Sequence, residues 1–249
     1  MKRTECKNCE RIFEGNFCPN CGQGSHEHRI NAHYFLHDIP HSVFHVDGGF
    51  LYTLKMLFTR PGVMIREFLE GKRARHFRPF AYVMIITAIS ALIVKLLVWG
   101  KLKILQYYNP SAIIPVKENF FEHYFSLFIF LMIPVASLIT WLFFIRGKYN
   151  FWEHFLANTY ISAQLNIIWI LSHLISFFAV IFTKEHFEVN LDTLFIFFMM
   201  AFLYLYGSVF GYLFGTKEKM LRIVLTLTVM NFILFVVYFN AFKLAGLLN

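Results

Sequence analysis

The chain has 249 residues, of which 57% are hydrophobic, 19% aromatic and only 15% charged, with a formal net charge of +8. Soluble domains are roughly 45–50% apolar and about 25% charged, so a soluble fold of this length could not bury so much apolar surface, and lipid is its expected solvent. The placement of the positive charge disfavours nucleic acid: twelve of the 23 Lys and Arg lie in residues 1–79, and Lys72, Arg73, Arg75 and Arg78 form a basic patch at the edge of the first apolar segment, where anionic lipid headgroups are the natural partner.

All four cysteines fall within the first 21 residues. Cys6 and Cys9 form one C-x-x-C pair, and Cys18 and Cys21 form another after an eight-residue spacer. Two such pairs aim four thiolates at one tetrahedral Zn²⁺, with Zn–S near ~2.3 Å. Pro19 suits the second knuckle, and Gly22 suits the positive φ that follows it. Gly15-Asn16 is a hairpin signal. Ile12, Phe13 and Phe17 are expected to form a minimal core, and Lys2, Arg3, Lys7 and Arg11 to offset the site's negative charge. Two disulfides and a redox C-x-x-C are the competing readings. A reducing cytoplasm disfavours the first, and a segment too short for a thioredoxin-like fold disfavours the second. Four protein ligands leave no open coordination position, so the zinc, one ion, is expected to be structural. Residues 1–25 are the expected ribbon.

Residues 26–79 are expected to be an amphipathic juxtamembrane region. Pro61 suits the first turn of a helix over Pro61–Glu70 that stops at Gly71, with Val63, Met64 and Phe68 on an interfacial face. His33, His37, His41 and His45 recur every four residues, but Pro40 interrupts any single helix carrying them. They are read as interfacial histidines rather than as a metal stripe.

Residues 80–249 are expected to form a transmembrane bundle. Five segments have the ~20 apolar residues that a spanning helix needs: Phe80–Trp99, Tyr124–Ile145, Tyr160–Phe182, Thr193–Phe214 and Leu221–Phe242. With the N-terminus inside, seventeen Lys and Arg fall on the inner side and five outside, which predicts a cytoplasmic N-terminus and a periplasmic C-terminus. The opening residues have no apolar run of the signal-peptide kind, so the first span is expected to target the chain. The fold class predicted is thus an all-α polytopic membrane protein of about five spans, with a small N-terminal zinc ribbon and juxtamembrane amphipathic helices.

The third span carries Ser162, Asn166 and His173 on one face, with Gln164 off it. Such groups serve either a solute path or helix–helix hydrogen bonds, and the second use is the expected one. Glu153 and His154 precede that span and form a possible interfacial acid–base pair. Gly207, Gly211 and Gly215 recur at four-residue steps, a spacing that permits close packing with another helix or a second protomer. No spanning segment has an Asp, Glu or Arg at its middle, and no H-E-x-x-H occurs. That disfavours ion-coupled transport and intramembrane proteolysis.

Three stretches resemble signatures of one family. They are Cys6–Gln23, then Thr53-Leu54…Thr59-Arg60-Pro61-Gly62…Gly71-Lys72-Arg73…Arg78-Pro79, then Glu153-His154. Together the chain resembles the bacterial membrane proteins of domain-of-unknown-function family 3667. The resemblance implies a bacterial inner-membrane location and brings no reaction with it. The leading expectation is a non-enzymatic adaptor whose ribbon docks a cytoplasmic protein partner at the membrane, with homo-oligomer formation open. The alternative is a transporter or channel for a small or lipidic solute along the third span.

Overall fold

A computed structural model describes residues 3–25, 27–35, 49–108, 110, 120–184, 191–215 and, except for 224 and 227, 221–229. The expected fifth span, the 216–220 turn, His37, His41 and His45 lie largely or wholly outside the described residues. Residues 221–229 are helical where described.

The chain begins with a two-stranded antiparallel ribbon, β1 (Arg3–Glu5) and β2 (Ile12–Glu14), in the register Arg3↔Glu14, Thr4↔Phe13, Glu5↔Ile12. The turn joining them is the first cysteine knuckle itself. Gly15-Asn16 therefore does not close this hairpin; it follows β2 and leads to the Phe17↔Gly24 bridge. Strand alternation puts Phe13 inside. Ile12 and Phe17, expected in the core, are instead 65% and 70% exposed.

Helix α1 (Phe50–Thr59) and helix α2 (Pro61–Leu69) meet at Arg60, whose non-helical backbone (φ −146°, ψ 60°) allows Pro61 to start a new helix. At the other end of α2, the Gly71 N–H bonds the Phe68 carbonyl, and the Lys72 N–H bonds that of Glu67. This paired closure needs a left-handed residue at Gly71, which has φ +98°. The helix stops where the sequence predicts.

The bundle contains α3 (Pro79–Tyr108), α4 (Phe120–Leu131), α5 (Ile133–Phe143), α6 (Phe151–Thr183) and α7 (Leu191–Phe214). Helices α3 and α6, of 30 and 33 residues, are long and apolar enough to cross a membrane. At ~1.5 Å per residue each exceeds a ~30 Å hydrocarbon core, so both project beyond it. The segment expected as one continuous second span is broken between α4 and α5 by 41°, and counts as a third span only if the bent pair is one crossing. Pro134, in the first turn of α5, removes a backbone donor and clashes with the preceding turn, which accounts for the break.

Helices α3 and α6 form the central packed pair, flanked by α5 and α7. Helix α2 lies against α7. Its Met64 and Phe68, expected to face lipid, are 0% and 1% exposed, so protein covers that face. A Cβ on Gly62 would lie 2.6 Å from both the Ser208 carbonyl oxygen and the Tyr212 Cβ. The close helix seam is therefore Gly62 against Ser208. A Cβ on Gly207 or Gly215 would meet nothing within 4 Å, and Gly211 is buried.

Candidate metal centre and the collar that holds it

The four cysteines converge because their two knuckles have the same construction. In the first, the Cys6 N–H bonds the Arg11 carbonyl and the Glu10 N–H bonds the Cys6 carbonyl. In the second, the Cys18 N–H bonds the Gln23 carbonyl and the Gly22 N–H bonds the Cys18 carbonyl. The residue after each second cysteine is left-handed: Glu10 at φ 62° and Gly22 at φ 74°. Backbone N–H groups of Asn8, Cys9 and Arg11 approach the first pair of sulfurs.

All four Sγ atoms lie within 4.8 Å of one another, with Cys6–Cys21 and Cys9–Cys18 both at 3.5 Å. The edge of an S₄ tetrahedron at a Zn–S distance of ~2.3 Å is about 3.8 Å, so the cluster has the size a metal ion requires. Disulfide sulfurs would be ~2.05 Å apart, and all four cysteines are free. Burial pushes the Cys6 thiol up to about 11. The Asn20 side chain first, then the Arg11 backbone, draw Cys9 down to about 6. A bound ion would override this asymmetry by holding all four as thiolates.

The ribbon is fastened to the helical domain. Gln23, 4% exposed, donates Nε2 to the Gly71 carbonyl at 2.8 Å, while its Oε1 accepts the N–H groups of Arg73 (3.0 Å) and Ala74 (3.2 Å). Lys7 Nζ donates to the Glu27 carbonyl at 2.7 Å. A Cβ on Gly71 would sit 2.7 Å from the Cδ of the flexible Lys7 side chain, and the φ of +98° is what calls for glycine at this position.

Of the expected basic patch, Arg73 turns inward. It pairs with the Glu27 carboxylate at 2.5 Å, donates to the carbonyls of His28 and Phe68, and lies over the Tyr34 and Phe68 rings. Arg75 is exposed, and Lys72 and Arg78 are half-buried. Thr53, 0% exposed, accepts the Phe77 N–H, and the Tyr160 hydroxyl donates to the Phe77 carbonyl. The loop between α2 and α3 is thus held from both sides.

Glu153 and His154 are adjacent in sequence but serve different faces of α6. Glu153, 4% exposed, receives Arg29 in a two-pronged pair at 2.9 and 2.8 Å. It also closes a capping box with Asn150. His154, 2% exposed, stacks among Phe144, Phe210 and Phe214, and neither ring nitrogen has a partner among the described residues. Successive helical residues point about 100° apart, so Glu153 and His154, a possible acid–base pair by sequence, face different surroundings.

Ser162, Asn166 and His173 are all buried. The Asn166 amide donates to the Ser162 carbonyl, Ser90 donates to the Asn166 carbonyl, and Ser126 continues the chain to Ser90. His173 Nδ1 lies 3.1 Å from the Trp169 carbonyl, and its ring meets the Trp169 ring at 4.4 Å. Gln164, off this face, finds the Tyr82 hydroxyl at 2.9 Å. These polar groups tie α3, α4 and α6 together.

From the sequence, Gln23 and Thr53 stand out only as members of the family signatures, and Arg29 and Tyr149 have no assigned role. Gln23 stands two residues after a metal ligand, which was the available signal. Arg29 gave none, because its partner Glu153 is 124 positions away.

Residues 47–91 match the family model described as Protein of unknown function (DUF3667). The match spans α1, α2, the loop that receives Gln23 and the first turns of α3, and the matching model is that of the family the sequence resembles. No curated protein and no solved structure matches the chain.

Proposed function

We propose that this member of the DUF3667 family is a zinc-ribbon adaptor of a bacterial cytoplasmic membrane, which presents its ribbon to a protein partner in the cytoplasm. On this reading the ion is zinc, the bundle has about five spans, and the C-terminus is periplasmic. The observation that carries it is the exposure of Ile12 and Phe17, 65% and 70%, on a ribbon whose other side is hydrogen-bonded into the helical domain through Gln23. Large apolar side chains held outward on a small rigid knob suit docking of another protein. The sulfurs form a closed four-ligand set, which supports a structural ion. The burial of Ser162, Asn166 and His173 supports packing over a solute path.

The test uses the full chain in detergent. Ile12→Ser together with Phe17→Ser should keep the metal and the fold, yet lose proteins that cross-link to the wild type. Identical cross-linked partners in both would count against the adaptor reading. Metal analysis of the purified protein that finds less than one zinc would count against the ion. A reporter fused after Asn249 that proves cytoplasmic would reverse the orientation or change the number of spans.

A further inference from the structure

Where the ribbon meets the helical domain there is an open cleft of about 260 Å³. This is below the ~300–1,000 Å³ of sites for larger organic ligands, and large enough for a small anion. Its wall holds four cations, Lys7, Arg29, Arg73 and Lys148, against two carboxylates, Glu70 and Glu153. Both carboxylates are already matched, Glu153 by Arg29 and Glu70 by Arg66. Arg73 is likewise matched by Glu27. The Lys7 and Lys148 ammonium groups have no carboxylate partner among the described residues: Lys7 donates to a carbonyl, and Lys148 sits over the Tyr149 ring at 4.8 Å. A second observation comes from that ring. Tyr149 lines the cleft and is 8% exposed, and its buried hydroxyl has no hydrogen-bond partner among the described residues. A buried polar atom without a partner is costly and calls for an explanation.

We propose that this cleft binds a phosphate group, with Lys7 and Lys148 supplying charge and the Tyr149 hydroxyl a hydrogen bond. Several donors, each able to approach a separate oxygen, suit a phosphate better than a planar carboxylate, and lysine acts there as a mobile point charge. The phosphate comes either from a lipid headgroup at the bilayer surface or from a free phosphate compound; the chemistry recognised is the same. The site joins residues of the ribbon, the α2–α3 loop and the α5–α6 loop, so its occupation would brace the ribbon against the bundle. The inference does not depend on a protein partner, and failed cross-linking of the ribbon would leave it standing.

The experiment follows thermal stability of the zinc-loaded full chain in lipid nanodiscs, because a ligand that binds only the folded state raises the midpoint by mass action. In one arm, inorganic phosphate is added to discs of phosphatidylcholine and compared with chloride at equal ionic strength. In the other, phosphatidylglycerol replaces part of the phosphatidylcholine. A response to added phosphate assigns a free phosphate ligand, and a response only to phosphatidylglycerol assigns a headgroup. Lys7→Gln with Lys148→Gln should weaken the response at least ~10-fold. Tyr149→Phe should weaken it about 3- to 10-fold without lowering the ligand-free midpoint, since no existing hydrogen bond is lost and an unpartnered buried hydroxyl is removed. Arg75→Gln, exposed and outside the cleft, should respond as the wild type. Absence of a response in both arms, or an equal loss in Arg75→Gln, would overturn the proposal, and the Tyr149→Phe result decides it should the lysine double variant not fold.

Discussion

Gln23 and Gly71 join the metal-binding ribbon to the helical domain: the Gln23 amide donates to the Gly71 carbonyl at 2.8 Å, and its own oxygen accepts the next two available backbone N–H groups, those of Arg73 and Ala74. One buried side chain thus connects the first and second signature stretches. Gln23→Ala should keep the metal but loosen the docking, because it leaves two backbone donors and one acceptor without this partner. The expected cost is about 2–3 kcal/mol. Amide hydrogen exchange at Arg73 and Ala74 should accelerate while the knuckles stay protected, and unchanged exchange there would remove Gln23 from this role.

The metal should be felt beyond the ribbon. Cys18→Ser, or chelation of the wild type, removes the main organiser of residues 3–25, whose buried core is Cys6, Phe13 and Cys18. Protection should fall first in the ribbon and then at Gly71–Ala74, since Gln23 is the link. Limited proteolysis of metal-free protein is the simplest check. Resistance in residues 3–25 without metal would mean that the ribbon folds without its ion.

Gly62 and Gly207 should respond in opposite directions to the same substitution. Gly62→Ala drives a methyl group into the Ser208 carbonyl and the Tyr212 side chain at 2.6 Å. The cost should be ~1–3 kcal/mol, through separation of α2 from α7. Gly207→Ala meets nothing within 4 Å, and should gain roughly 0.5–1 kcal/mol as an interior helical glycine. A large loss at Gly207 instead, together with a changed oligomeric state, would place a second protomer on that face.

Stability should fall in mild acid through His76. Its side chain is 3% exposed, packed by Tyr52 and Phe68, with Nε2 3.3 Å from the Glu67 carboxylate. Burial lowers its pKa, and Glu67 only partly opposes the shift. A histidine kept neutral in the fold but free to protonate when unfolded stabilises the native state above the unfolded pKa of ~6.5, and that contribution is lost as pH falls from there toward the lower folded value. The thermal midpoint should decline from about pH 7.5 to about pH 5.5, and His76→Phe should flatten the decline. An equally steep slope in the variant would assign the acid sensitivity to another group.

The convergence of the four cysteines, the helix start at Pro61, the stop at Gly71 and the apolar helices were legible in the sequence because each follows from local chemistry. Two C-x-x-C pairs need only a knuckle to converge, proline opens a helix by lacking a donor, and glycine ends one by adopting positive φ. Helix length and apolarity follow from composition in the same way. Pro134 lies inside the segment expected as the second span, Tyr124–Ile145, and the break it makes there was not drawn from the sequence.

Tertiary structure alone decided which side chains meet. Arg29 reaches Glu153 across 124 residues, and Gln23 reaches Gly71 across 48. Glu153 and His154 part company because a helix turns neighbours onto different faces, and Arg73 turns inward because Glu27 is there to receive it. Whether Met64 faces lipid or protein depends on α7 lying beside it. Hydrophobic burial is indifferent to what covers an apolar face, so a sequence pattern states that a face will be covered and leaves the cover to the packing of the whole chain. The ribbon was therefore identifiable from four cysteines, but its attachment, and the cleft that the attachment creates, belonged to the fold.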